Sequence, residues 1–165
     1  MFFYLNLFYL FSCLGYFLET FFLSNYKSGI LYLPWTPVYG IGILIALSIF
    51  NFLKKRRFKK MLVPVLFLTS AVILSGVEFL GGHLIELIFK KVYWNYNNFK
   101  WNFGKYISVE SALIWGLGST ISVMLIYPLI IKFIKKIPNI VTIVLTIVFI
   151  LDIIITCLVK VPISS

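Results

Sequence analysis

Apolar residues come in long runs along this chain, separated by short clusters of Lys, Arg, Asn, Pro and aromatic residues. A helix needs roughly 20 apolar residues to cross about 30 Å of hydrocarbon. Five stretches meet that length, at about 2–23, 37–53, 61–89, 107–131 and 139–161. In hydrocarbon every backbone amide must bond within its own segment or within a closed sheet, and runs this long select helices over barrel strands. The pattern predicts an all-α fold: a polytopic membrane helical bundle with about five transmembrane helices. Residues 1–165 form a single membrane domain, with an aromatic extracytoplasmic loop at 90–106.

Composition agrees with this picture. Hydrophobic residues make up 61% of the 165 and charged residues only 12%, which excludes an ordinary soluble domain. The first run lacks a basic leader and a small-residue cleavage site and carries Glu19, so it reads as a retained helix instead of a secretion signal. Cys13 and Cys157 lie in separate runs with no CxxC or metal-ligand spacing. They read as packing residues, and neither a metal nor another cofactor is expected.

The net charge of +10 sits at the junctions between apolar runs. That placement suits lipid headgroups and argues against nucleic acid as a partner. Lys54, Lys55, Arg56, Arg57, Lys59 and Lys60 form one block between the second and third runs. The positive-inside rule puts this block in the cytoplasm, with the amino terminus cytoplasmic and the carboxyl terminus extracytoplasmic.

The acids behave in the opposite way. Glu19, Glu78, Glu86, Glu110 and Asp152 are all the acidic residues of the chain, and each falls within a predicted helix. A carboxylate inside the membrane is costly, so it is expected to face a cavity, a partner or a proton. By the predicted topology Glu19, Glu86 and Glu110 lie toward the outer helix ends, with Glu78 deeper and Asp152 near the middle of the fifth helix. The prediction is an acidic pocket that opens outward beneath the loop.

The stretch EFLGGHLIE, residues 78–86, concentrates this chemistry. Ser75, Glu78, Gly82 and Glu86 are 3, 4 and 4 residues apart and share one helix face. Gly81 and Gly82 permit a close approach by a helix or a substrate. His83 precedes Glu86 by one turn and can share a hydrogen bond or proton with it. On the fourth helix Ser108, Ser111, Trp115, Ser119 and Ser122 line one side, with Glu110 turned away from that stripe. Pro37 begins the second helix after an extended or re-entrant turn ending at Thr36, which puts Tyr39 in its first turn. Trp94, Tyr96 and Asn102 in the loop are placed as a lid over the pocket, in a composition that also suits an interfacial aromatic belt. The candidate pocket is therefore Glu19, Tyr39, Glu78, His83, Glu86, Trp94, Tyr96, Asn102 and Glu110.

Five segments together resemble the bacterial membrane proteins grouped as putative ABC transporter permeases, the putative ABC-transporter type IV family. They are FSCLGYFLET, PWTPVYGIG, VEFLGGHLIE, YWNYNNFKWNFGKYISVESALIWG and the YP pair Tyr127–Pro128, and the resemblance they carry spans about three-quarters of the chain. The family usually has Asp, Tyr and Ser after the loop tryptophan, where this chain has Asn95, Tyr96 and Asn97 after Trp94. It tends to have Arg where this chain has Lys105. The resemblance implies a multi-pass protein of the bacterial cell (inner) membrane with a transport role.

No GxxxxGK[ST] loop occurs, so an ATPase would be a separate subunit. ESALIWG, residues 110–116, loosely matches the coupling signature of importer permeases but falls on the outer side of its helix, beyond reach of a cytoplasmic ATPase. Five helices are few for a transporter, so a homo-oligomer is expected. The leading reading is a small transport component without catalytic residues. The alternatives are a noncatalytic scaffold or regulator, and an intramembrane hydrolase with His83 and Glu86 as its acid and base pair.

Overall fold

The computed structural model describes residues 1–22, 29–55 and 61–162. Lys27 and the Arg56, Arg57, Lys59 and Lys60 part of the basic block lie outside the described residues. The helices are α1 (Phe2–Phe22), α2 (Pro37–Lys55), α3 (Leu62–Phe89), α4 (Val109–Ile121), α5 (Tyr127–Ile134) and α6 (Asn139–Lys160). Five spans are long and apolar enough to cross a membrane, with α4 and α5 forming one span, Val109–Ile134. No strand forms among the described residues, and the expected all-α polytopic fold is the one observed.

The fourth span is not a single regular helix. A π-helical turn, Ser122–Ile126, joins α4 to α5, and the Tyr127 N–H reaches back five residues to the Ser122 carbonyl. Pro128 supplies the physical reason: it has no N–H to donate, and its ring crowds the carbonyl four residues earlier, so the winding loosens just before it.

The chain divides into two compact units: Met1–Ile41 with Ile130–Ser165, and Gly42–Leu129. In the first unit α1 packs against α6. Thr142 donates to Asn6 at 2.8 Å, Tyr9 donates to Thr146 at 2.9 Å, and the rings of Tyr9, Trp35 and Phe149 meet edge to face. Asp152, 4% exposed, holds the segment that leads into α2. Its two carboxylate oxygens accept the N–H groups of Tyr32 and Leu33, each at 3.0 Å. Lys160 donates to the Ile30 carbonyl at 2.6 Å, with its ammonium 4.4 Å from the centre of the Tyr32 ring. α6 thus satisfies backbone groups that have no helix of their own, which the membrane interior demands. Pro37 is the first helical residue of α2, and the Thr36 N–H bonds to the Ser12 carbonyl at 3.0 Å.

In the second unit α3 and α4 form the main pair. They come close at Gly116, where a Cβ would meet the carbonyl and ring of Phe67. Leu66, Ala71, Leu74 and Val123 are buried there with the hydroxyls of Ser70, Ser75 and Ser119. The polar stripe expected on α4 faces inward at Ser111 and Ser119, and Ser108 is an extended N-cap whose hydroxyl accepts from the Ser111 N–H.

Candidate functional site

The loop after α3 folds back over the helix it leaves. Lys90 adopts the left-handed conformation that ends α3, with its N–H on the Glu86 carbonyl. Gly104 takes φ 74°, a turn conformation that a side chain would strain. Across the second reversal the backbone pairs with itself: Tyr96 donates to Lys105, Phe103 to Ile107 and Val109 to Trp101, at 2.8–2.9 Å. Asn102 forms an isolated bridge with Ser108 and donates its side-chain amide to the Asn97 carbonyl at 2.7 Å.

The loop and α4 together bring a donor to each oxygen of the two α3 carboxylates. At Glu78, 7% exposed, Oε1 accepts the Tyr96 hydroxyl at 2.7 Å and Oε2 the Trp115 indole N–H at 2.9 Å. At Glu86, two turns further on, Oε1 accepts Lys105 Nζ at 2.7 Å and Oε2 the Tyr106 hydroxyl at 2.8 Å. The two sites differ in kind. Glu78 is buried and bonded to neutral donors alone, whereas the Glu86–Lys105 ion pair is partly open, its side chains 32% and 47% exposed.

Gly82 makes this arrangement possible. A Cβ at that position would collide with the Tyr106 ring, which is 1% exposed and lies flat against the helix backbone. Gly81 has open space around it, so of the two glycines only Gly82 serves the close approach. The Tyr106 hydroxyl is pushed up to about 12 from its ordinary value of 10.0, first by burial and then by its bond to the Glu86 carboxylate. It stays a neutral donor at any physiological pH.

His83 is exposed on α3. Its Nδ1 meets the Phe79 carbonyl at 2.9 Å, and its ring packs against Phe79 and Tyr106. A carbonyl only accepts, so Nδ1 carries the proton and Nε2 is the acceptor of the neutral ring. His83, Glu86, Leu87 and Lys90 line an open groove of about 380 Å³.

The remaining candidates take different places. Trp94 packs edge-on against Tyr106, with its indole N–H buried and without a hydrogen-bond partner among the described residues. Asn102 is spent on the loop's own backbone. Glu110, in the first turn of α4, buries one carboxylate oxygen that likewise has no such partner. Neither Asn102 nor Glu110 bonds to the α3 carboxylates. Glu19 and Tyr39 belong to the first unit, where the Tyr39 ring packs on Gly15. Lys105 and Tyr106 are absent from the candidates read from sequence. The available signal was Gly82, a bare backbone position on the glutamate face that calls for a bulky neighbour.

Among the described residues no group of three or more His, Cys, Asp or Glu side chains converges as a metal site would require. A family model described as "Putative ABC-transporter type IV" matches residues 6–157. No curated protein and no solved structure matches the chain.

Proposed function

The chain belongs to the putative ABC-transporter type IV family, and we propose that it is a small permease-like component that takes a polar or cationic solute at the acidic face of α3. It is a multi-pass membrane protein with a transport-related role. The observation that carries the finer reading is Glu78, a buried carboxylate bonded to neutral donors and, among the described residues, to no cation. A cation or a proton arriving there meets a carboxylate that no cation among the described residues pairs with, in surroundings where Coulomb interactions are strong.

The loop 90–108 acts as the lid of this site. Tyr96 fastens it to Glu78, and Lys105 with Tyr106 fastens it to Glu86. Opening it exposes both carboxylates, along with the Trp94 indole and the Glu110 oxygen that have no hydrogen-bond partner among the described residues. We assign the loop to the extracytoplasmic side of the bacterial cell membrane and the basic junction at the other end of α3 to the cytoplasm. The ESALIWG segment then lies at the loop end of α4, away from any cytoplasmic ATPase. A separate ATPase subunit would have to couple elsewhere, and a second copy of the chain would complete the pathway.

Uptake of a panel of amines and organic cations into proteoliposomes tests the reading. Glu78→Gln is expected to lower uptake by at least tenfold while keeping the Tyr96 bond, and Glu86→Gln to lower it less. Uptake unchanged in both variants would remove the carboxylates from the mechanism.

A noncatalytic scaffold is favoured by one observation: three of the four oxygens of Glu78 and Glu86 already hold the loop, and the fourth accepts from Trp115 on α4. In that case Glu78→Gln lowers thermal stability in detergent, and no solute in the panel restores or shifts it.

A further inference from the structure

The open groove at the loop end of α3 shares Glu86 with the transport reading and adds Lys90, His83 and Leu87, which that reading does not use. Its walls are Lys90, Glu86, His83 and Leu87, which span two turns at the end of α3 on one side of the helix. Leu80, seven residues before Leu87, continues the Leu87 side of that face toward the middle of the span, and both are exposed. In a membrane-spanning helix such a stripe is covered by acyl chains. The polar end of the stripe then sits at headgroup depth, where interfacial lysines and aromatic rings are at home.

The charges in the groove are ordered. Lys90 supplies a cation at its outer edge, exposed and free of any ion pair among the described residues. One turn inward, Glu86 supplies a carboxylate. Lys105 and Tyr106 each take one bond from it, which leaves about two of its four lone-pair sites open. His83 adds Nε2 as a second acceptor, because its Nδ1 proton is committed to the Phe79 carbonyl. A donor-rich cation is therefore recognised on the inner side and an anion on the outer side. One turn of helix, about 5.4 Å, separates the two, comparable to the spacing of phosphate and amine in an ethanolamine headgroup.

We propose that this groove binds the headgroup of an aminophospholipid from the surrounding bilayer, with its phosphate on Lys90 and its primary ammonium between Glu86 and His83. The acyl chains follow Leu87 and Leu80. Selectivity comes from the ammonium: a primary amine donates hydrogen bonds to two acceptors, whereas the trimethylated amine of a choline lipid donates none.

The test is native mass spectrometry of the full chain released from nanodiscs containing equal parts phosphatidylethanolamine, phosphatidylcholine and phosphatidylglycerol. Phosphatidylethanolamine should be retained several-fold over phosphatidylcholine. Lys90→Asn removes the cation while suiting the left-handed backbone there, and Glu86→Gln removes the charge on the ammonium side; each should abolish the preference. Equal retention of the ethanolamine and choline lipids overturns the proposal. So does a preference for phosphatidylglycerol, which would signal general attraction to lysines, and so does a preference that survives both substitutions. Glu78→Gln should leave lipid selectivity unchanged, so the lipid site and the solute site can fail separately.

Discussion

The ring of Tyr106 rests on the bare backbone of Gly82, and its hydroxyl reaches Glu86 one turn further along the same helix. Contact and hydrogen bond are made by one side chain, so the loop cannot keep its hold on Glu86 if the helix surface beneath the ring is raised. Gly82→Ala should therefore lower stability by about 1–3 kcal/mol, the usual cost of overpacking a closed contact. Gly81→Ala, on open helix surface, should be neutral or mildly stabilising through helix propensity. Thermal unfolding of both variants in detergent checks the pair, and equal effects would contradict the geometry.

Glu78 depends on two donors from different elements, Tyr96 in the loop and Trp115 on α4. Tyr96→Phe should cost about 1.5–3 kcal/mol, the range for a hydrogen bond to a charged group. Trp115→Phe should cost at least as much, since it also removes buried volume. The double variant leaves the carboxylate without either donor, and its loss should differ from the sum of the single losses by more than 0.5 kcal/mol, about the limit for independent sites. A double-mutant cycle in urea or detergent measures the coupling.

Alkaline pH should release the loop through Tyr106. Its hydroxyl is raised from 10.0 to about 12 in the folded chain, so folding favours its neutral form. That contribution is complete below pH 10 and is lost as pH rises toward about 12. The stability advantage of the natural chain over Tyr106→Phe should fall across this interval. Tyrosinate absorbance should show one tyrosine titrating late, and a difference independent of pH up to 12 would exclude the link.

Asp152 holds two adjacent backbone N–H groups with two oxygens. In Asp152→Asn one oxygen becomes an amide donor, so one of the N–H groups loses its acceptor. An unmet buried donor costs about 1–3 kcal/mol, which corresponds to roughly five- to 150-fold faster local opening. Hydrogen exchange at Tyr32 and Leu33 should accelerate by that order, while amides in the middle of α3 keep their rates.

The helices were legible in the sequence because each is an apolar run of membrane-spanning length, a signal that depends on no distant partner. Glu78, Gly82 and Glu86 were legible as one face for the same reason, since helical spacing is a local property. The partners of those residues were harder to read. Lys105 and Tyr106 reach Glu86 only after the chain reverses at Lys90 and at Gly104, and Lys90 is not a residue that announces a left-handed turn. Trp115 could be assigned to an inward stripe, but not to a particular carboxylate. Asp152 was unreadable in another way: its partners are backbone amides, and any sequence in the 29–36 segment would carry them. The π-turn before Pro128 belongs to the same class, since the proline announces a disturbance without saying how the helix absorbs it.

The two fastenings of the loop also differ in what can loosen them. Lys105 and Glu86 meet where ions can reach them, so added salt weakens their attraction. Tyr96 and Trp115 hold Glu78 through buried, uncharged donors that mobile ions scarcely touch. Ionic strength is therefore a one-sided handle on this protein: it slackens the loop at the membrane surface and leaves it pinned at depth.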